Sequence, residues 1–418
     1  MPIPIYLISA VALLGVVVRP WRSPEVLWAV AGAVVLVGLG LLPWQAAWRA
    51  VGEGSDVYLF LVGMMMLSAV AEREGFFDTL AALCVAHARG SPRRLFAFVY
   101  AMGVLVTTFM SNDATAVVLT PAVLAVCKKA EGAPLPYLLA CALIANAASF
   151  VLPVSNPANL VVFADTLPPL GAWLARFALP SVVSIAVTFV VLRVTSRAEL
   201  QGRVRADVTV PRLSRAGRLA AGGVLLMAVA MLVASALDTH LGMPALTTAA
   251  VTAGAVALAK RESPLPMLRG LSWTILPLVA GLFVIVAGLR RAGLLDFLTQ
   301  ALRAHAGDAP GATAAVAGTL VAFACNLMNN LPAGLIAGSV VNGAHVAPQI
   351  QGAVLIGIDL GPNLSVTGSL ATILWLVALR KAGEHVGAWT FLKIGAVAMP
   401  LALGAALGAS WLQNRIGL

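Results

Sequence analysis

Met110-Ser111-Asn112-Asp113 breaks a run that is otherwise apolar, with Val104-Leu105-Val106 before it and Val117-Val118-Leu119 after it. A polar quartet with a carboxylate is costly in hydrocarbon unless it serves a purpose. Asn and Asp prefer helix N-caps to helix interiors. The quartet therefore reads as the tip between one helix ending near Phe109 and another starting near Ala114, within a hairpin over residues 95–128. Each arm reads as short for a span, which needs ~20 apolar residues, so the hairpin is expected to be re-entrant. A polar kink in one ordinary helix would account for this quartet taken alone.

The quartet recurs, and a kink does not explain the recurrence. Leu327-Met328-Asn329-Asn330 sits at the tip of a second expected hairpin, residues 312–343. Laying Asn112 on Asn329 puts Asp113 on Asn330 and makes Asp113 and Asn330 the expected helix caps. An apolar segment with a polar break follows each hairpin. Residues 137–163 carry Pro153-Val154-Ser155-Asn156-Pro157, and residues 353–379 carry Gly361-Pro362-Asn363 and Ser365-Val366-Thr367-Gly368-Ser369. Asn146, before the first break, falls on Asp359, before the second. Interrupted hydrophobic segments at matching positions of two halves point to a transporter site. The expected fold is an all-α polytopic membrane protein of two inverted repeats, residues 1–192 and 219–418. Each repeat holds a re-entrant helical hairpin and a broken transmembrane helix, with about ten full crossings in all.

Composition sets the class. The 418 residues are 60% hydrophobic and 11% charged, against roughly 45–50% and ~25% in soluble domains. The net charge of +10 resides in loops between spans, the positive-inside pattern, so no nucleic-acid partner is expected; the lipid bilayer is the partner. Residues 193–218 hold seven arginines against Glu199 and Asp207, which marks a basic cytoplasmic linker between the halves. The first half then starts outside and the second starts inside. Residues 76–88 and 294–304 read as interface helices, and Arg290-Arg291 is the basic pair this topology leaves outside. No cleavable signal is read at residues 3–18, whose positive residues follow the apolar run. Cys84, Cys127, Cys141 and Cys325 form no CxxC pair and read as small buried hydrophobes. No phosphate loop and no His-Glu-x-x-His motif is present, so no enzyme, metal or cofactor is expected.

The breaks carry the chemistry. Asn156 can cap a helix with Pro157 in its first position, and Ser369 can cap the helix that follows it. Four helix starts would converge on a pocket of Ser111, Asn112, Asp113, Ser155, Asn156, Asn329, Asn330, Thr367 and Ser369. Amides and hydroxyls donate and accept, which suits a small, polar, uncharged solute. Desolvation disfavours the charged form of a buried carboxyl, so Asp113 and Asp359 are the candidate proton carriers. Asp359 stands at a helix end, where the dipole disfavours its charge, and is the stronger candidate; Asp113 could serve as a cap alone. Met64-Met65-Met66 reads as apolar packing, and Cys325 stands close to the second tip.

Ser-Asn-Asp at 111–113, Met-Asn-Asn-Leu-Pro at 328–332, Gly-Ile-Asp-Leu-Gly-Pro at 357–362 and Thr-Gly-Ser-Leu-Ala-Thr-Ile-Leu-Trp at 367–375 resemble the arsenite and antimonite efflux membrane proteins of the ion transporter superfamily. The residue after Gly-Pro is commonly Lys in that family and is Asn363 here; a Pro commonly stands where Val366 does. The resemblance implies export of trivalent arsenite, As(OH)3, and antimonite from the cytoplasm in exchange for protons, by alternating access, in the bacterial inner membrane. Some members also work with a separate soluble arsenite-stimulated ATPase. A sodium/proton antiporter and a sodium-coupled carboxylate transporter of the same superfamily are the alternatives, and a channel is the alternative from another class.

Overall fold

The computed structural model describes residues 2–205 and 208–416, so Asp207 of the linker lies outside the described residues. Every regular element among the described residues is helical. Helix α1 (Ile3–Val18) turns back into α2 (Glu25–Gly38) through the prolines at 20 and 24, and Arg19 pairs with Glu25 at 3.1 Å. Then come α3 (Trp44–Glu53), α4 (Ser55–Arg73) and α5 (Phe76–Ala88). The first hairpin is α6 (Pro92–Met110), α7 (Asn112–Ala114), a π turn (Thr115–Leu119) and α8 (Thr120–Lys129). The first broken helix is α9 (Leu135–Ala147) and α10 (Pro157–Phe163), and α11 (Leu170–Thr195) returns.

The second half opens with α12 (Arg215–Ala236), α13 (Gly242–Lys260), the short α14 (Leu265–Arg269) and α15 (Ile275–Arg291). Helix α16 (Leu294–Ala306) leaves α15 at a 70° bend. The second hairpin is α17 (Pro310–Met328) and α18 (Asn330–Ala344). The second broken helix is α19 (Pro348–Leu360) and α20 (Leu370–Lys381), and α21 (Ala388–Ile416) closes the chain. Seven of the described helices have the length and apolarity to cross a membrane. They include α6 and α17, so the leading hairpin arms are longer than the sequence suggests. Only the return arms fall short: α18 has 15 residues.

The turn at the first tip is a true reversal. Thr107 and Thr115 bond through their hydroxyls at 2.8 Å, whereas eight residues of straight helix would separate them by ~12 Å along the axis. Pro121 lacks an N–H, and the π turn just before it absorbs the disruption: the Thr120 hydroxyl donates to the Thr115 carbonyl at 2.9 Å. Such π segments concentrate at functional sites.

The two tips share one geometry, and it corrects the expected register. Ser111 (φ 93, ψ 159) and Asn329 (φ 75, ψ 153) each hold the single residue between the arms, each donating its N–H to the carbonyl four residues back. Ser111 therefore corresponds to Asn329, and Asn112 to Asn330, one residue away from the pairing read in the sequence. The caps shift with it. Asp113 lies inside the first turn and is not the cap, and Asn329 rather than Asn330 caps α18, accepting from the Leu331 N–H at 3.3 Å. Sequence matching aligned side-chain types; the backbone aligns the positive-φ turn.

Ion pairs sort the loops into two faces. Arg73 pairs with Glu262, Lys260 with Glu74, Lys128 with Glu384 and Arg205 with Glu131. The linker N–H groups of Val204 and Arg205 reach Gly90 and Ala130, at the two ends of the first hairpin. The basic loops thus share one face. Arg290 pairs with Glu53 at 4.0 Å and reaches Ser339 at the other face, so one member of the Arg290-Arg291 pair has a carboxylate partner there. A cavity of ≈1150 Å³ opens at that second face, walled by α10 (Leu160, Val161) and α18 (Leu335, Ser339, Asn342). Glycine lets α17 and α19 touch: a Cβ on Gly357 would strike the Gly318 backbone, the small-residue contact common between membrane helices.

Candidate functional site

Both breaks end a helix inside the protein, where freed backbone groups need protein partners. In the first, Asn156 caps α10, its Oδ1 accepting from the Ala158 N–H at 3.0 Å. Asn159 then gathers three stray carbonyls, those of Ser149, Leu152 and Pro153, with its Nδ2. In the second, Ser369 caps α20, accepting from the Thr372 N–H at 3.1 Å. Asn326 does the gathering there: Nδ2 donates to the Ala322 and Gly361 carbonyls, and Oδ1 accepts from Ser365 at 2.6 Å. Each such cap is worth about 1 kcal/mol, and leaving the carbonyls unpaired would cost more.

The caps also cross between halves. Asn156 Nδ2 donates to Asp359 Oδ1 at 2.6 Å. Ser369 Oγ donates to Asn146 Oδ1 at 3.4 Å. Asn146 and Asp359 each hold the next-to-last position of a 13-residue helix, so the pairing of these two read in the sequence matches the helix ends. Each broken helix fixes the start of the other's second segment. Asn363 completes the joint, accepting from Asn146 Nδ2 and donating to the Leu143 carbonyl, both at 3.0 Å.

The hairpins attach to the breaks unequally. Ser155 Oγ donates to the Thr108 carbonyl at 3.0 Å, which holds the first tip. The second tip is held by the Asn330 N–H on Gly368 at 2.8 Å and by Thr367 Oγ1 on the Asn326 carbonyl at 3.2 Å. Of the expected residues, Asn156 with Asp359 and Ser369 with Asn146 brace one half against the other, Ser155, Thr367 and Asn330 tie each tip to its break, and Asn329 bonds only within its own hairpin. Ser111 and Asn112 are buried at the first tip, which packs on α9 and α20. Asp113 is half-buried and no side-chain hydrogen bond joins it to the described residues. Asn146, Asn159, Asn326 and Asn363 are further members of these contacts that the sequence reading does not place in the site. The signal was there: an Asn inside an apolar helix or at its broken end has no local reason to be present. Cys325 is buried, its thiol toward the Ile358 carbonyl at 3.7 Å.

The electrostatics are spare. Among the described residues Asp359 is the one Asp, Glu, Lys, Arg or His that is buried. Its Oδ2 has no hydrogen-bond partner, nor have Asn112 Oδ1 and Asn159 Oδ1. Those three are acceptors; Thr108 Oγ1 near the first tip and Trp375 Nε1 on α20 are donors without partners among the described residues.

A family model described as Citrate transporter matches residues 13–358. The chain belongs to the citrate transporter family. Within its reach the chain is also similar to arsenical pump membrane proteins, as its motifs imply. The protein of that name from Escherichia coli K12 is 29% identical over 94% of this chain and 95% of its own length. Its counterpart from Yersinia enterocolitica is 29% identical over 88% and 87%. An uncharacterised transporter of Mycobacterium tuberculosis is 26% identical over 94% of both. Among solved structures, the YdaH transporter of Alcanivorax borkumensis superposes with a TM-score of 0.57 at 17% identity, covering 88% of each chain. Members of this family are membrane transporters, and the fold is the polytopic helical one expected.

Proposed function

We propose that the chain exports trivalent arsenite and antimonite, as neutral hydroxides, from the cytoplasm of a bacterial cell in exchange for protons. The observation that carries this reading is the charge inventory of the site. A citrate trianion would need cationic partners at the centre, because burying unpaired charge costs several kcal/mol per ion. The breaks and tips instead offer buried amides and hydroxyls, and one buried carboxyl, that of Asp359. As(OH)3 is uncharged and both donates and accepts through its three hydroxyls, which suits a site of unpartnered donors and acceptors. The names of the arsenical relatives support the same substrate.

Asp359 carries the proton in this reading. Its Oδ1 is held by Asn156, and its unpartnered Oδ2 is free to take up and release hydrogen. Asp113, without a side-chain partner, is the second candidate. The halves, inverted in this reading and alike in tip geometry, would work by alternating access, with the cavity as the pathway on the face opposite the basic loops. A soluble ATPase would dock on the basic face, where the linker lies.

Arsenite uptake into everted vesicles under an imposed pH gradient tests the reading. Accumulation should follow the pH gradient, persist without sodium and resist excess citrate. A sodium requirement would establish the sodium-coupled alternative, and competition by citrate the carboxylate one.

A further inference from the structure

We propose that Asn156 is a positioning residue that transmits the charge state of Asp359 to α10 and through it to the second hairpin, so that the wall of the cavity responds to the proton. This rests on Asp359 being the coupling carboxyl.

Asn156 has both polar atoms engaged, one on each side of a mechanical link. Its Nδ2 holds Asp359 and its Oδ1 holds the first turn of α10. A donor on an ionised carboxylate makes a bond roughly twice as strong as one on a neutral acid. Protonation of Asp359 therefore weakens the grip on α10. Helix α10 is seven residues long, and Asn159 in its first turns ties it to the Ser149, Leu152 and Pro153 carbonyls, so the break and α10 move as one piece. Its far side is fastened to the second hairpin. Asn342 Nδ2 donates to the Val162 carbonyl at 3.1 Å. Gly338 lies so close to the Val162 backbone that an added Cβ would stand 2.8 Å from it. A shift of α10 must therefore carry α18. Leu160 and Val161 of α10 and Leu335, Ser339 and Asn342 of α18 face the same cavity.

The other broken helix lacks this sensitivity. Ser369, the cap of α20, bonds Asn146, a carboxamide that does not titrate, and no α20 residue lines the cavity. One cap is thus tied to a titrating group and the cavity wall, its counterpart to neither. The groups packed around Asp359 leave it as the titrating element. Helix α17 presents the Cys325 thiol beside Ile358. The facing parts of α9, α10, α18 and α21 present no buried Lys, Arg, Glu or His.

The test separates capping from transmission. Ser caps as well as Asn but is too short to reach Asp359, so Asn156→Ser keeps the first contact and loses the second. In reconstituted full-length protein, arsenite counterflow is measured from pH 5.5 to 8.5 beside gradient-driven accumulation. Wild type should show a pH-dependent exchange rate. Asn156→Ser, whatever its absolute rate, should show a profile flat to within about twofold, and accumulation should fall at least tenfold, as in Asp359→Asn. An Asn156→Ser protein with the wild-type profile and accumulation overturns the proposal. Accumulation persisting in Asp359→Asn overturns the coupling role of Asp359 and this inference with it. A second measurement decides if Asn156→Ser does not exchange. A Leu160→Cys protein is labelled with a neutral thiol reagent across the same pH range, with Leu160→Cys/Asp359→Asn as the reference for thiol ionisation. Relative to that reference, labelling should rise at least threefold as pH falls. Equal pH dependence in the two proteins refutes a proton-responsive α10.

Discussion

The joint at Asn363 yields a prediction with a worked magnitude. Asn363 is fully buried and makes two bonds to the first half, to Asn146 Nδ2 and to the Leu143 carbonyl. Asn363→Ala removes both and strands one buried N–H of Asn146; the Leu143 carbonyl keeps its helical bond within α9. The stranded N–H costs about 1–3 kcal/mol and the second bond to Leu143 about 0.5–1.5 kcal/mol, so the total is about 2–4 kcal/mol. Asn146→Ala removes the bond to Asn363 and the contact from Ser369. The double variant lacks the shared bond only once, so a double-mutant cycle should show a coupling of about 1–2 kcal/mol. Denaturant unfolding in detergent, followed by tryptophan fluorescence, supplies the free energies. Trp375 reports nearby, being buried in α20. Effects that add to within about 0.3–0.5 kcal/mol would mean the two side chains do not interact, and the joint between the broken helices would not exist as described.

Two further outcomes follow from the same structure. Asn112→Ala, Asn329→Ala and Ser369→Ala should each weaken arsenite binding several-fold in a filter or calorimetric assay, since each deletes a bond worth about 0.5–1.5 kcal/mol; wild-type affinity in all of them would place the substrate elsewhere. Cysteines introduced at the exposed positions Arg203 and His240 should be labelled from opposite sides of the membrane, because the linker joins the first hairpin's base whereas His240 lines the cavity. Labelling of both from one side would undo the assignment of the two faces.

The sequence by itself determined the class and where the helices break. Those signals are local. Hydropathy selects spans, arginine selects a face, and Asn-Pro or Ser before an apolar run starts a helix, as at Asn156 and Ser369, whose capping is as read. Local signals failed where two residues competed for one role. At Ser111-Asn112-Asp113 and Asn329-Asn330 every candidate could cap a helix, and only the positive-φ turn singled out Ser111 and Asn329. Tertiary structure alone decided which buried polar groups meet. Asn156 and Asp359 are 203 residues apart, and Asn146 and Asn363 are 217 apart. Nothing in the order of residues states such a pairing, because it exists only once two broken helices lie against each other and each buried donor must find an acceptor across the joint.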